Sequence, residues 1–256
     1  MSRRAWSDEE MILSLDLYYK LPFGRLNQHT PEVRELASLI GRTPSSVALR
    51  LVNYAACDPY IVNSGRRGMV SGIGKCKPFW DHYADNTEEL FLQAENIRAS
   101  MMAKPVEEIL QLNSTDFIGK EKEAVIKQRI NQNAFRAVIL ANYNEQCAIS
   151  GICIPQLLIA SHIVPWSDDA NNRLNPTNGI CLSPLYDKAF DEGYIGIRPD
   201  YYTVIISKEL KSYKNRDFYQ DYFASIEDTP IMLPNKHNPN SVFLNYHIDN
   251  IFAAHN

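Results

Sequence analysis

Four side chains in the second half of the chain have the types that metal-assisted hydrolysis uses: His162, Asn178, Asp187 and Asp191. A neutral imidazole can serve as a general base near pH 7, and carboxylate oxygens bind hard divalent cations. Asp187 and Asp191 are spaced to share one face of a helix and to address one cation. Breaking a phosphodiester bond needs an activated water and a charge sink on the phosphate. The pattern predicts a one-metal hydrolytic site, with His162 and Asn178 catalytic and both aspartates as metal ligands.

Each of these residues also has an ordinary structural interpretation. His162 alone is typical of a satisfied histidine at a strand end, and Asp187 suits a solvated helix surface. Asn178 before Gly179 is typical of a turn, and within a site its amide can either hold the imidazole or order the loop. The joint order and spacing of these residues favour the site over the separate interpretations.

Strand, turn and helix signals surround these residues. We predict a β-hairpin over residues 146–162, with its first strand at 147–149 and His162 at the end of its second strand. A further short strand follows at 180–182, and a helix capped by serine and proline covers 185–191. This order of strand, strand and helix would bring the four side chains together.

The first part of the chain carries start signals for three helices. Ser7 and Glu10 form a capping box, and Thr30-Pro31 and Thr43-Pro44 each place proline at a first helical position. The second and third helices are joined by a short turn at Gly41, as in a helix-turn-helix. The second helix of that motif enters the major groove, and a plain three-helix bundle is the alternative. The candidate DNA contacts are Arg42, Ser45, Ser46 and Arg50.

Positive charge is concentrated locally, although the net charge of the chain is −4. Between positions 42 and 77 there are six basic residues and one acid. Residues 60–80 alternate glycine with cations, which predicts a loop that approaches a phosphate backbone closely or is a simple connector. The further candidate DNA contacts are Arg66, Arg67, Lys75 and Lys77.

Two longer helices follow, over about 87–102 and 122–143. Arg136 lies on a polar side of the second helix, where it supports the site, contacts DNA or forms part of a solvated face. The best break in the pattern is Ala103-Lys104-Pro105. We expect three segments: a helical DNA-recognition domain at 1–104, a linker at 105–124 and a catalytic domain at 125–256.

Composition bounds the class of protein. The chain has 256 residues and 45% hydrophobic content, enough for one large domain or two small ones. Five cysteines form no Cys-x-x-Cys pair, and no apolar run is long enough to span a bilayer. We expect a cytoplasmic protein with reduced thiols and no signal peptide.

At these residues the sequence resembles the HNH endonuclease family, in a subgroup of bacterial HNH restriction endonucleases. The resemblance covers roughly residues 125–252. It is carried by Gln132-x-x-Phe135-Arg136, Cys147-Ala148-Ile149-Ser150-Gly151, Ser161-His162-Ile163-x-Pro165-Trp166, Asn178-Gly179, Phe190-Asp191-x-Gly193 and Asn245-Tyr246-His247. It implies a ββα-metal fold, with a general base at His162, support from Asn178 and a metal ligand on the helix.

Three positions depart from the common pattern of the family. Ser161 stands where many members have a metal-binding aspartate or histidine, Asp187 where the helix ligand is often histidine, and Tyr186 where related sequences have histidine. Oxygen-rich ligation favours Mg²⁺ or Mn²⁺ over Zn²⁺. The paired cysteine knuckles of many members are missing, so we interpret Cys147, Cys153 and Cys181 as core cysteines rather than zinc ligands.

We therefore expect an α+β protein in which an N-terminal helical, helix-turn-helix-like domain recognises DNA and a C-terminal ββα-metal domain cuts it, in restriction or defence. The hairpin over 195–206 would be scaffold. One site cuts one strand, so double-strand cleavage implies a homodimer, and a restriction role implies a companion DNA methyltransferase. Two other interpretations stay open: a DNA-binding protein that has lost catalysis, and an RNA-directed HNH nuclease.

Overall fold

The computed structural model describes residues 4–112 and 119–255. The chain forms two compact units, Met1–Val138 and Ile139–Asn256. The described residues mix helices with two small antiparallel sheets, which agrees with the predicted α+β class. Part of the predicted linker, residues 113–118, lies outside the described residues, and the domain limits drawn from the sequence stay a prediction.

The first unit is helical. Its helices are α1 (Asp8–Lys20), α2 (Pro31–Leu39), α3 (Pro44–Ala55), α4 (Pro59–Asn63), α5 (Ile73–Tyr83), α6 (Thr87–Met102), α7 (Val106–Ile109) and the greater part of α8 (Lys120–Asn142). α1 packs against α3, α5 and α6, and fully buries Leu13 and Leu15. In the described ranges, no helix is both long enough and apolar enough to cross a membrane.

The predicted helix starts are confirmed. The Ser7 hydroxyl accepts from the Glu10 amide at 3.3 Å, and the Glu10 carboxylate accepts from the Ser7 amide at 2.9 Å. Pro31 and Pro44 each occupy a first turn. Gly41 ends the second helix region with φ +63°, a conformation that glycine adopts without strain.

The prediction of a loop over residues 60–80 is wrong, because α4 and α5 lie in this range. Asp58-Pro59 is itself a helix start: the Asp58 carboxylate accepts from the Tyr60 amide at 2.9 Å. α5 forms despite its glycine and proline because it packs on α1 and α3 and buries Cys76. Only residues 64–72 between the two helices are irregular.

The second unit contains β1 (Ile159–His162), β2 (Gly179–Leu182), α9 (Pro184–Asp191), β3 (Ile195–Arg198), β4 (Thr203–Ile206), α10 (Lys208–Lys211), α11 (Asp217–Tyr222) and α12 (Ser241–Asn250). β1 pairs with β2 and β3 with β4, both antiparallel. α9 packs on β1, β2 and β3, and α12 packs on β3. The strand–strand–helix order and the hairpin over 195–206 are confirmed.

The predicted hairpin over residues 146–162 is wrong. Residues 148–150 form a turn, and the strand partner of β1 is β2. The Cys147 amide donates to the Ile152 carbonyl at 2.9 Å, and the Ala148 amide donates to the Cys181 carbonyl at 2.7 Å. Gly151, with φ +73°, closes the turn too early for a second strand to pair beside the first.

Candidate active site

His162 lies at the end of β1, where it pairs with Gly179 at the start of β2. The chain between these strands forms a long loop, and Asn178 is the last residue before β2. A histidine and an asparagine that are distant in sequence therefore lie at the same end of the sheet. α9 follows β2 directly and carries the two aspartates.

The imidazole of His162 is held by the loop that follows it. Its Nε2 lies 3.0 Å from the Arg173 carbonyl oxygen, and its ring meets Trp166 edge-on at 5.4 Å between centroids. Burial lowers the pKa of His162, although the bond to the Arg173 carbonyl acts in the opposite direction. A neutral ring that donates from Nε2 has its lone pair on Nδ1. Nδ1 is then the atom that can accept a proton.

Asn178 clamps the loop backbone. Its side chain is 1% exposed, its Oδ1 accepts from the Val164 amide at 2.8 Å, and its Nδ2 donates to the carbonyl oxygens of Val164 at 3.2 Å and Asn172 at 3.3 Å. These bonds correspond to the loop-ordering role. They connect the start of the loop at Val164 to its later part at Asn172, next to His162.

Arg173 closes the loop from the other side, and sequence reasoning did not select it. Its Nε donates to the Trp166 carbonyl at 2.9 Å, and its guanidinium lies over the Trp166 ring at 5.0 Å. Its own carbonyl is the acceptor for His162. A backbone acceptor has no side-chain signature, so only the fold reveals this contact.

Asp187 and Asp191 interact with each other on α9. Burial raises the pKa of Asp187. Burial and the neighbouring Asp187 carboxylate together raise the pKa of Asp191 to about 6, although Asp191 keeps part of its surface in solvent. A carboxylate whose ionisation is hindered by burial and by a second carboxylate is typical of a functional site, and a bound cation would relieve that hindrance.

Ser161, on β1, lies beside this acid pair. Its hydroxyl lowers the pKa of both Asp187 and Asp191. The oxygen is buried, and no hydrogen bond of ordinary geometry joins it to any described residue. The hydroxyl nevertheless lies close enough to both carboxylates to favour their ionised forms, which places it at the edge of the acid pair.

Two aspartates of the loop after β1, Asp168 and Asp169, bond to other residues of the second unit. Asp169 accepts from the amides of Asn171 and Asn172 at 3.0 and 3.2 Å. Asp168 accepts from Tyr246 at 3.0 Å. Over residues 4–112 and 119–255, no group of three or more His, Cys, Asp or Glu side chains is arranged to hold a metal ion. The oxygen atoms near one another at α9 are those of the two carboxylates and the Ser161 hydroxyl.

α12 supports both the acidic helix and the loop. His247 is 1% exposed, its ring stacks on Phe190 at 3.7 Å, and its Nε2 lies 2.9 Å from the Phe190 carbonyl oxygen. Burial lowers the pKa of His247 to about 4. The next residue along α9 is Asp191, so His247 fixes the backbone at one of the acids. The motif Asn245-Tyr246-His247 was the only sequence signal for this contact.

Tyr186 and the cysteines have structural surroundings. The Tyr186 hydroxyl donates to the Tyr222 carbonyl at 2.7 Å. Cys147 is buried and accepts from the Ser183 amide at 3.2 Å. Cys181 is buried, whereas Cys153 is exposed, so its interpretation as a core cysteine is wrong. These three cysteines form no metal cluster among the described residues.

Two of the predicted DNA contacts are occupied inside the first unit. The Arg42 guanidinium donates to the Glu10 carboxylate at 2.7 and 3.0 Å, and lies over the Trp6 ring at 4.2 Å. Arg50 is 7% exposed, lies over the same ring at 4.6 Å and donates to the Cys76 sulfur at 3.4 Å. Both arginines hold α1, α3 and α5 together.

The other predicted contacts are more accessible. Ser45, Arg66, Arg67, Lys75 and Lys77 are exposed, and Ser46 and Arg136 are half-buried. Lys77 pairs with Asp81 at 2.7 Å. Arg136 lies on α8 in the first unit. Arg66 and Arg67 lie within the irregular segment 64–72, and Lys75 lies in the first turn of α5. The Arg66 guanidinium lies over the Phe23 ring at 5.5 Å.

A two-stranded antiparallel sheet followed by a helix, with a half-buried histidine at the strand end, is the arrangement of the ββα nucleases, and in this chain the helix carries two carboxylates. Residues 147–198 match the sequence model of the HNH endonuclease family. The chain therefore contains an HNH endonuclease domain, and the family supports a nuclease activity that uses a divalent metal. No protein in the curated collection of characterised sequences matches the chain significantly.

Proposed function

We propose that the protein is a metal-dependent DNA endonuclease of restriction or defence type. The observation that carries the proposal is the half-buried His162, whose pKa is lowered by burial, at the end of β1 in the same ββα unit as the two acids of α9, whose pKa values are raised. One group can take a proton, and the other two can hold positive charge beside a phosphate. Together they supply the two requirements of phosphodiester hydrolysis.

His162 is the general base in this proposal. Its Nδ1 accepts a proton from a water molecule, whose oxygen forms a bond to phosphorus while the bond from phosphorus to the leaving oxygen breaks. The leaving oxygen takes a proton from solvent. The Arg173 carbonyl, 3.0 Å from Nε2, stabilises the resulting imidazolium and fixes the orientation of the ring. Asn178 keeps the Val164 backbone, and with it the loop, in place.

Asp187 and Asp191 would hold the metal ion, with the Ser161 hydroxyl beside them. Mg²⁺ or Mn²⁺ fits this oxygen donor set better than Zn²⁺. When bound, the ion supplies a positive charge that stabilises the phosphate as negative charge develops on it. Two observations support the fit: the raised pKa of both carboxyls and the buried Ser161 hydroxyl beside them.

The N-terminal helical domain, residues 1–104, would bind the DNA that residues 125–256 cut. Its polar and cationic side chains support this: Ser45, Arg66, Arg67, Lys75 and Lys77 are exposed, and Ser46 is half-buried. Arg136 would add a contact from α8. Arg42 and Arg50 would shape this surface from within. Double-strand cleavage would need a homodimer, and protection of the host DNA would need a companion methyltransferase.

The test is a cleavage assay with three substrates: supercoiled plasmid, linear duplex DNA and single-stranded RNA, each with Mg²⁺, Mn²⁺ or EDTA. The proposal predicts nicked plasmid with Mg²⁺ or Mn²⁺ and none with EDTA. Binding of DNA without nicking under every condition would instead favour a DNA-binding protein without catalysis. Cleavage confined to RNA would show that the substrate assignment is wrong.

A further inference from the structure

The irregular segment 64–72, here called the arginine loop, is fixed to the end of α3 by hydrogen bonds. The Asn53 side chain, 3% exposed, donates to the Met69 carbonyl at 2.8 Å and to the Ser71 carbonyl at 2.9 Å. The Met69 amide donates to the Val52 carbonyl at 3.1 Å. The loop backbone is therefore held from both its middle and its end.

Glycine makes this close contact possible. A Cβ at Gly68 would lie 2.3 Å from the Ala56 nitrogen, and one at Gly72 would lie 2.9 Å from the Asn53 Oδ1. Gly72 also has φ +108°, which side-chain-bearing residues rarely adopt. One side of the loop therefore packs against α3, and the opposite side is exposed to solvent.

The solvent-exposed side of the loop carries both apolar and cationic side chains. Met69 is 45% exposed and Val70 is 69% exposed. Arg66 and Arg67 are also exposed. Because the Met69 backbone is bonded on both sides, its side chain stays at the surface. Adjacent apolar side chains that are exposed to solvent indicate an interaction surface.

The charge identifies the partner. Residues 59–80 contain four cations and no acid, and one of these cations, Lys77, pairs with Asp81 just beyond them. The exposed cations beside Met69 and Val70 favour a polyanionic partner with an apolar interior. Residues 64–72 contain no aromatic ring on which single-stranded bases would stack. Duplex DNA fits both features, since cations bind its phosphates and apolar side chains can enter between base pairs from the minor groove.

We propose that the arginine loop is a DNA-bending element: Arg66 and Arg67 contact the phosphates and the minor groove, and Met69 and Val70 wedge between base pairs. The inference rests on the proposed DNA substrate and refines it, since it assigns the main contact to this loop rather than to α3. Arg42, which precedes α3, is bonded to Glu10 and lies over the Trp6 ring, and Arg50 on α3 is buried over the same ring.

The first test measures binding of the full chain to a duplex of roughly 20–30 base pairs across a salt series in EDTA. We expect Arg66→Gln/Arg67→Gln to weaken binding and to reduce the slope of log K against log salt by about 2. The matched control is Arg34→Gln/Lys104→Gln, which removes two exposed cations elsewhere in the same unit. An equal reduction of the slope in the control, or none in the loop variant, would overturn the proposal.

The second test measures energy transfer between dyes at the two ends of the duplex. The wild-type chain should shorten the end-to-end distance, and Met69→Ala/Val70→Ser should abolish this change while the salt slope stays the same. These exposed positions leave the fold intact, which a circular-dichroism melt checks. A straight duplex with the wild-type chain, or equal bending by the variant, would contradict the wedge. Neither test requires cleavage, so failure of the proposed nuclease activity remains a separate result.

Discussion

Replacing Asp191 by asparagine should stabilise the metal-free protein while it removes cleavage. Burial and the neighbouring Asp187 raise the pKa of Asp191 from 3.8 to about 6. If the whole pKa shift contributed to folding, it would change the free energy of unfolding by about 3 kcal/mol. Asp191 is exposed to solvent, and screening reduces such a value. The expected gain in the free energy of unfolding is therefore about 1 kcal/mol.

The pH dependence follows from the direction of the shift. The folded protein holds a proton on Asp191 more tightly than the unfolded chain does, so this group makes stability fall as pH rises from about 4 to about 6. The difference between Asp191→Asn and the wild type should be absent below pH 4 and complete above pH 6. Thermal unfolding in EDTA would show it as a rise of about 2–4 °C in the transition.

The control is Asp200→Asn, an exposed carboxylate in the turn between β3 and β4. It should change stability by less than about 0.5 kcal/mol and without this pH profile. Added Mn²⁺ should stabilise the wild type and leave Asp191→Asn unchanged. Equal stability of Asp191→Asn and the wild type above pH 6, or equal stabilisation of both by Mn²⁺, would refute the reasoning.

Three other predictions concern the surroundings of the site. Asn178→Ala should destabilise the second unit by at least about 1–3 kcal/mol in urea, because the buried Val164 amide loses its acceptor; a smaller effect would show that the loop is not clamped there. Burial lowers the pKa of His247 to about 4, so wild-type stability should fall as pH drops from about 6.5 to 4. His247→Gln, which can still donate to the Phe190 carbonyl, should lose this dependence, and an unchanged pH profile would contradict the assignment. Ser161→Asp should lower the Mn²⁺ concentration needed for thermal stabilisation, since it adds a third carboxylate, and weaker metal binding would count against the proposed ligand set.

Local signals predicted local structure well. The capping box at Ser7, the proline starts of α2 and α3, and the order of β1, β2 and α9 depend on neighbours in sequence, and each is confirmed. The hairpin over 146–162 failed because strand pairing is not local. β1 takes its partner from beyond a long loop, and no turn signal records that choice.

Tertiary packing also determines which cationic side chains are buried and paired and which are exposed. The sequence shows Arg42 and Arg50 as basic residues near a helix start, and only the fold shows that Trp6 and Glu10 occupy them. In α5, the glycine-rich pattern predicted a loop, but burial of Cys76 stabilises a helix instead. Charge counts locate a basic segment but do not reveal which of its side chains reach solvent.

The candidate site divides in the same way. His162, Asn178 and the acids of α9 were recognisable from residue type and spacing, because their chemistry is in their side chains. The Arg173 carbonyl and the contact of His247 with Phe190 carry no such mark. They become apparent only when the loop and α12 are in place.

The most direct test of the general-base assignment is the single-turnover nicking rate of supercoiled plasmid by His162→Ala with Mg²⁺ or Mn²⁺. Loss of a general base should lower the rate by about 10²–10⁴-fold. The matched control His29→Ala, which removes an exposed histidine from the first unit, should nick at the wild-type rate. Nicking by His162→Ala at the wild-type rate would contradict the assignment of His162 as the base, and with it the proposed site.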